Sequence, residues 1–350
     1  MFSDNNRITG IQLKRQIAVG LTGAFLLILT KEPALLGRSG LLGLLTGFAA
    51  VLLYLLVLVR AAQAYRDPEL LLGRVGGTLL RLLYLSYLVL TGSFLLAEAV
   101  DMTTAYLLTG SQGLTAAVLL LAVSLLGTGS DLQRRGRMGE AAYPLLMLGF
   151  FLMLAVAAGA VNPKLLDEAP ALSVSETVQG AYAYYGACMV LSVLPFLLNH
   201  VQGKGQAFPH MARAALLVTL ITGSALLILL GIFGYEGLVR QETPILKLMS
   251  RVILPGGFLD RFDILWMAFL LFSLLFGLGS LLFYGRTIGK FGTFTKGGYV
   301  LALLILAGAL ITWGEKDIRS FYGDALRWFY TPVLTAVPLF MWLCRKWRRK

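Results

Sequence analysis

At about 100° of rotation per residue, Tyr84, Tyr87, Thr91 and Glu98 fall within one narrow arc of a helix, and Tyr185, Cys188, Ser192 and Asn199 form a similar stripe on a second. Such stripes on otherwise apolar helices face protein or water, so the two can border one cavity. Near them lie two stretches where a helix is easily interrupted. One reads QIAVGLTGAFLLILTKEP, with Gly20, Thr22 and Gly23 early and Pro33 late; the other reads TVQGAYAYYGACMVLSVLP, with Gly180, Gly186, Pro195 and the cluster Tyr182, Tyr184, Tyr185. Gly costs about 1 kcal/mol and Pro about 3 in a helix interior. Backbone groups freed at such breaks can hold the carboxylate and amine of a small zwitterion under aromatic rings. A second reading stands beside this one: small residues simply let helices approach, as Gly43 and Gly47 are expected to do. Tyr182 also suits an interfacial aromatic belt.

Other chemistry has little support. His200 and His210 are the two histidines, no Cys or carboxylate cluster has ligand spacing, and no metal or cofactor is expected. Gly285, Arg286, Thr287, Ile288, Gly289, Lys290 is one residue short of a phosphate loop, and Phe291 replaces its Ser or Thr. No nucleophile elbow occurs, so the chain is not expected to be an enzyme. Cys188 and Cys344 lie far apart in apolar stretches and imply no disulfide framework.

The elements that must carry these residues are membrane helices. The 350 residues are 57% hydrophobic and 14% charged with a mean hydropathy of +0.77, a bilayer composition. Spans of about 20 apolar residues are expected near 16–34, 40–62, 78–100, 113–130, 141–161, 178–199, 211–236, 262–284, 298–313 and 322–344. The polar start MFSDNNRITGIQLKRQ is too long for a cleavable signal, so the first span should be retained. The N-terminus, alternate loops and the tail carry 19 of the 30 Lys and Arg, the other loops 10, and Arg81 sits inside the third span. The positive-inside rule then puts both termini in the cytoplasm. The net charge of +12 follows span ends, not one stripe, and nucleic acid is not an expected partner. For Glu98 and Arg81, interfacial anchoring and ligand or proton handling both fit.

Five spans per half is an odd number, so a second half that repeats the first must be inverted. The expected fold is all-α: one integral membrane domain, residues 1–350, with repeats at 16–161 and 178–344 and broken helices 1 and 6.

The stretch TPILKLMSRVILPGGFLDRFDILWMAFLLFSLLF, before and into the eighth span, carries a resemblance. Pro244, Gly257, Phe258, Leu259, Asp260, Arg261 and Asp263 match the pattern of the spore germination protein family, the membrane-embedded B subunit of nutrient germinant receptors. The opening NNRITGIQLKRQ and the closing TPVLTAVPLFMWLCRKWRRK are also similar to that family, while Trp266 stands nearer the acid than is usual there. The resemblance implies a fold like that of the amino acid, polyamine and organocation transporter superfamily. It also implies a nutrient such as an amino acid bound near the bilayer midplane between spans 1, 3, 6 and 8, and A and C partner subunits that read out the change. The setting would be the spore inner membrane or the cell membrane. Candidate ligand-binding residues are Thr22, Gly23, Tyr84, Tyr87, Thr91, Tyr184, Tyr185 and Gly186; Gly20, Gly180, Arg261 and Asp263 are candidate structural or gating residues, the last two as a charge pair stapling the loop to the eighth span. A self-sufficient secondary permease for amino acids or amines is the alternative.

Overall fold

The computed structural model describes residues 6–66, 68–107, 112–129, 131–167, 169–203, 207–248, 262–291 and 296–347. Its first helix is set by local chemistry: the Thr9 hydroxyl accepts from the Gln12 N–H at 3.2 Å while the Gln12 side chain accepts from the Thr9 N–H at 3.1 Å, a capping box that starts α1 (Gly10–Leu29). After it come α2 (Gly37–Ala61), α3 (Pro68–Met102), α4 (Gly113–Leu126), α5 (Leu132–Ala158), α6 (Val174–Ala187), α7 (Ala207–Val239), α8 (Phe262–Gly289), α9 (Lys296–Gly314) and α10 (Thr331–Trp347). Among the described residues seven helices are long and apolar enough to cross a bilayer, and Gly113–Leu126 and Gly297–Trp313 are apolar but shorter. Several helices run past the apolar stretch that signals them; α3 begins at Pro68, ten residues before residue 78, but its backbone is broken at Gly73 (φ 76°), and the fold-back there lets Glu69 pair with Arg81 at 2.6 Å.

The centre of the bundle is α1. Of its apolar stretch 67% is buried, against 33% for α5, and it packs on α5, α7 and α8. Contrary to expectation, α1 is helical without interruption from Gly10 to Leu29. Its glycines serve close approach instead. A methyl group added at Gly23 would lie 2.6 Å from Ser273 Cβ and 2.9 Å from the Leu270 carbonyl oxygen, and one at Gly277 would lie 2.7 Å from the Gly20 carbonyl oxygen. The sixth span is interrupted, but beyond its glycines: α6 gives way to a 3-10 segment, Cys188–Val193, and then to Pro195–Leu198. Pro195 supplies no N–H and crowds the carbonyl four residues back, which disfavours α-helix in the turn before it. Gly180 packs against α2, as do Gly43 and Gly47 against α6. A π-helical turn, Ala325–Tyr330, leads into α10 directly before Pro332.

Backbone and side-chain contacts gather the start of α1, the segment that follows α6 and the ends of α2, α4 and α8 at one end of the bundle. Ile8 bridges to Val201, Asn199 donates to the Ala62 carbonyl at 3.1 Å, and Arg286 donates to the Gly129 carbonyl at 2.8 Å. This end is the terminal face, and the end holding Lys31 and Glu98 is the opposite face.

Gly23→Val and Gly277→Val are expected to destabilise the protein by about 1–3 kcal/mol each, since they press on backbone that cannot move aside. Gly223→Ala, whose methyl would meet only Leu44 Cδ2 at 3.7 Å, should stay within about 0.5 kcal/mol. Thermal melting of the three variants checks this, and equal melting points would contradict the packing account.

Candidate functional site

A cavity of about 1000 Å³ lies between α1, α3, the α6 interruption and α8, with α9 and residues 319–327 completing its wall. It has three zones. Toward the terminal face its floor is Gln16, Gly20, Gly277, Ser280 and Tyr284; the middle is largely apolar, with Phe25, Ile28, Leu95, Val190 and Leu194 around Tyr87 and Thr91; the opposite face carries charge.

There Lys31 Nζ sits 2.6 and 2.8 Å from the two oxygens of Glu98, and Arg319 is 2.7 Å from Glu98 and also bonds Asp101. Arg327 pairs with Glu32 at 3.1 Å. Three cations thus meet three carboxylates. Glu98 is only 2% exposed, and such a carboxylate is tolerable because two cations share it. Burial works against the charge of Arg319, but Glu98 and Asp101 outweigh it and hold the guanidinium above its ordinary pKa. The Tyr182 hydroxyl donates to the Arg327 carbonyl at 2.7 Å and its ring stacks on Trp328 at 5.3 Å, tying α6 to this mouth.

The contact between α1 and α8 is polar at one point. The Ser273 hydroxyl donates to the Val19 carbonyl at 2.5 Å and accepts from the Gly23 N–H at 2.8 Å. These two groups are the ones a regular α-helix joins directly, so α8 places an oxygen in the hydrogen-bond ladder of α1 where its glycines lie.

Of the residues singled out from sequence, Gly20, Tyr87, Thr91, Glu98 and Gly186 border the cavity. The others lie elsewhere. Thr22 bonds the Ala18 carbonyl of its own helix at 2.7 Å, and Gly23 is pressed on α8. Tyr84 shares a hydrogen bond of 2.9 Å with Tyr65 beside the Phe196 ring. Tyr184 meets Thr219 at 2.5 Å and Tyr185 meets Thr335 at 3.0 Å. Asp263 is half-buried in the first turn of α8, whereas the whole Gly257–Arg261 motif lies outside the described residues. Trp266 is buried and donates to the Ile245 carbonyl at 2.9 Å, so it fastens the Pro244–Lys247 turn to α8.

Gln16, Lys31, Asp101, Ser273, Ser280, Arg319 and Arg327 were not singled out. For α8 a signal existed: Ser273, Gly277 and Ser280 recur at intervals of four and three, one small-residue face. The charged residues read from sequence as span-end anchors.

Comparison with known proteins gives the same class of molecule. Residues 14–318 match the family described as spore germination protein. Spore germination protein YndE of Bacillus subtilis (strain 168) is 19% identical over 364 residues, covering 100% of this chain and 99% of that one. Among solved structures, Mhp1, a nucleobase-cation-symport-1 family transporter, in a closed conformation with bromovinylhydantoin bound, has a TM-score of 0.61 at 17% identity, covering 92% of this chain and 75% of that chain. The inward-facing conformation of Mhp1 gives 0.53 at 15% identity, over 97% of this chain and 77% of that one. At these identities the likeness concerns the fold: a multi-pass, transporter-like helical membrane protein.

Glu98→Gln leaves Lys31 and Arg319 facing one another in a half-buried setting. It should cost about 2–3 kcal/mol, less than a fully buried pair because both cations retain some water. Asp101→Asn, at a more exposed site, should cost under about 1 kcal/mol. Melting curves that rank the two variants the other way would contradict this reading of the mouth.

Proposed function

The chain belongs to the spore germination protein family, and from that premise we propose that it is the nutrient-sensing, membrane-embedded subunit of a germinant receptor. The observation that carries this reading is the cavity: a space of about 1000 Å³ between α1, α3, α6 and α8, apolar in its middle and closed at one face by a charge-neutral set of ion pairs. Its size suits a small nutrient, and an amino acid is the class favoured. The ten helices are read as a five-plus-five inverted repeat, residues 16–161 and 178–344, a reading supported by the transporter-like fold. The Lys and Arg distribution argues for a cytoplasmic terminal face and so for both termini in the cytoplasm. The spore inner membrane is the setting that a germination role requires.

A nutrient acts by binding one arrangement of the helices better than another. Moving a two-state equilibrium from 1:99 to 99:1 takes about 5.5 kcal/mol of differential affinity. The ion-pair mouth is a suitable bistable element, because Lys31 and Glu32, Glu98 and Asp101, and Arg319 and Arg327 belong to three different chain segments whose relative motion breaks several pairs together. Partner A and C subunits would read out the change.

Deleting the gene in a strain stripped of redundant receptors is expected to abolish germination toward one nutrient while leaving non-nutrient triggers intact. Undiminished nutrient germination would overturn the receptor reading. A second reading, a self-sufficient permease for amino acids or amines, draws on the fold shared with a transporter. It requires that proteoliposomes of the lone protein accumulate substrate against a gradient, and the receptor reading expects no such accumulation.

A further inference from the structure

The floor of the cavity holds polar groups that the protein leaves unanswered. Gln16 is 2% exposed and lines the cavity, yet neither its Oε1 nor its Nε2 has a hydrogen-bond partner among the described residues. An amide buried in this way costs about 1–3 kcal/mol per unmet group. Beside it, 1% exposed, is Arg135 of α5. The Gln16 amide nitrogen lies 3.3 Å from the position a methyl would take at Gly136, the next residue of α5.

Arg135 is surrounded by neutral oxygens. It donates to the Gly127 carbonyl at 2.5 Å, to the Phe276 carbonyl and to Ser280 Oγ at 2.7 Å, and its guanidinium lies 4.0 Å from the centre of the Phe276 ring. Its Nε has no partner, and among the described residues no carboxylate pairs with it. The contrast with the mouth is direct, where every cation has an acid. A buried cation without a counter-charge is costly, and an anion brought near it is correspondingly favoured.

We propose that the cavity floor is a carboxylate-binding subsite, in which Gln16 Nε2 and the Ser280 hydroxyl hold the ligand's carboxylate while Arg135 fixes Ser280 and supplies charge from behind. The inference rests on reading this cavity as the ligand pocket. The unbroken α1 is what makes side chains necessary. Its N–H groups are committed within the helix, and that of Gly23 is bonded to Ser273, so no freed backbone amides remain for an acid group. Ser280 has a proton to give: its hydroxyl bonds the Phe276 carbonyl at 2.9 Å, but that carbonyl keeps Arg135 when the hydroxyl turns away. Gln16 reaches the ligand by rotating its amide from α5 toward the cavity. The ligand then lies with its acid toward the terminal face and its apolar body against Leu95, Val190 and Leu194. Arg135 is a positioning residue, since it acts through Ser280 and does not line the cavity.

The test is thermal unfolding of the purified full-length protein with L-alanine, L-valine and L-leucine, and separately with their C-terminal amides. At least one acid should stabilise the protein by mass action, with its amide binding roughly tenfold or more weaker. Gln16→Leu should melt no lower than the parent without ligand, because it removes an unsatisfied amide, yet lose about tenfold in affinity for the acid and less than twofold for the amide. Ser280→Ala should show the same split in affinity between acid and amide, with a lower melting point because Arg135 loses an acceptor. Arg135→Gln should narrow the preference for acid over amide; if it fails to fold, the other two variants still decide. Equal affinity for acid and amide, unchanged acid affinity in Gln16→Leu, or no stabilisation by any of the three acids would each overturn the subsite. Acid binding in a protein whose deletion leaves germination intact would sink the receptor reading and keep the subsite; a germination defect without acid binding would do the reverse.

Discussion

Two helices from opposite halves of the chain meet at backbone distance, and the rest of the molecule is arranged around that contact. Gly20 and Gly23 of α1 face Ser273 and Gly277 of α8, and a methyl group added at Gly23 or at Gly277 would press into the facing helix. In a bilayer, burying apolar side chains against one another gains little over burying them in lipid, so close van der Waals packing of small residues is what holds helices together. Gly20, Gly277 and Ser280, on this small-residue face, also form part of the floor of the cavity between α1, α3, α6 and α8. The Ser273 hydroxyl adds a polar link by engaging Val19 and Gly23. Such insertion into a helix ladder is a recognised origin of bending, and it makes this part of α1 the segment best placed to change shape while its hydrogen bonds stay met.

Charge is handled differently at the two ends of the cavity. At the opposite face, acids and bases from distant segments neutralise one another, which suits a boundary that must open without leaving an isolated buried ion. At the floor, Arg135 is held by carbonyl oxygens and an aromatic ring, and Gln16 is left unmet. A ligand carrying an acid group and an apolar body complements both the floor and the middle zone. In the proposed receptor, recognition and closure would thus involve separate residues, so that a conformational change at the mouth would leave the acid contacts in place.

Much of the bundle was legible in the sequence because apolar runs and turn residues report locally. The spans and the close approach at Gly43 and Gly47 follow from such signals. The positions of helix breaks did not. Gly20 and Gly23 are equally suited to interrupting a helix and to packing one, and only the arrival of Ser273 from 250 residues away decides between these uses. Pro195 acted on the turn before it, beyond the glycines that drew attention. The tyrosine stripes divided: Tyr87 lines the cavity, whereas Tyr84, Tyr184 and Tyr185 find hydroxyl partners elsewhere in the bundle. The mouth was invisible as a unit, since Lys31 and Glu98 are 67 residues apart and Asp101 and Arg319 are 218 apart. Gln16 gave no periodic signal, being a single polar residue at the edge of an apolar run.

The central claim is that the space between α1, α3, α6 and α8 is a water-accessible pocket that a nutrient fills. Its most direct test uses Ala183, a half-buried residue of the cavity wall, changed to cysteine in a background where Cys188 and Cys344 are serine. The account predicts that this thiol reacts with a small charged thiol reagent and is protected by the nutrient to which the spores respond. A thiol that never reacts, or one whose labelling the nutrient leaves unchanged, would contradict it.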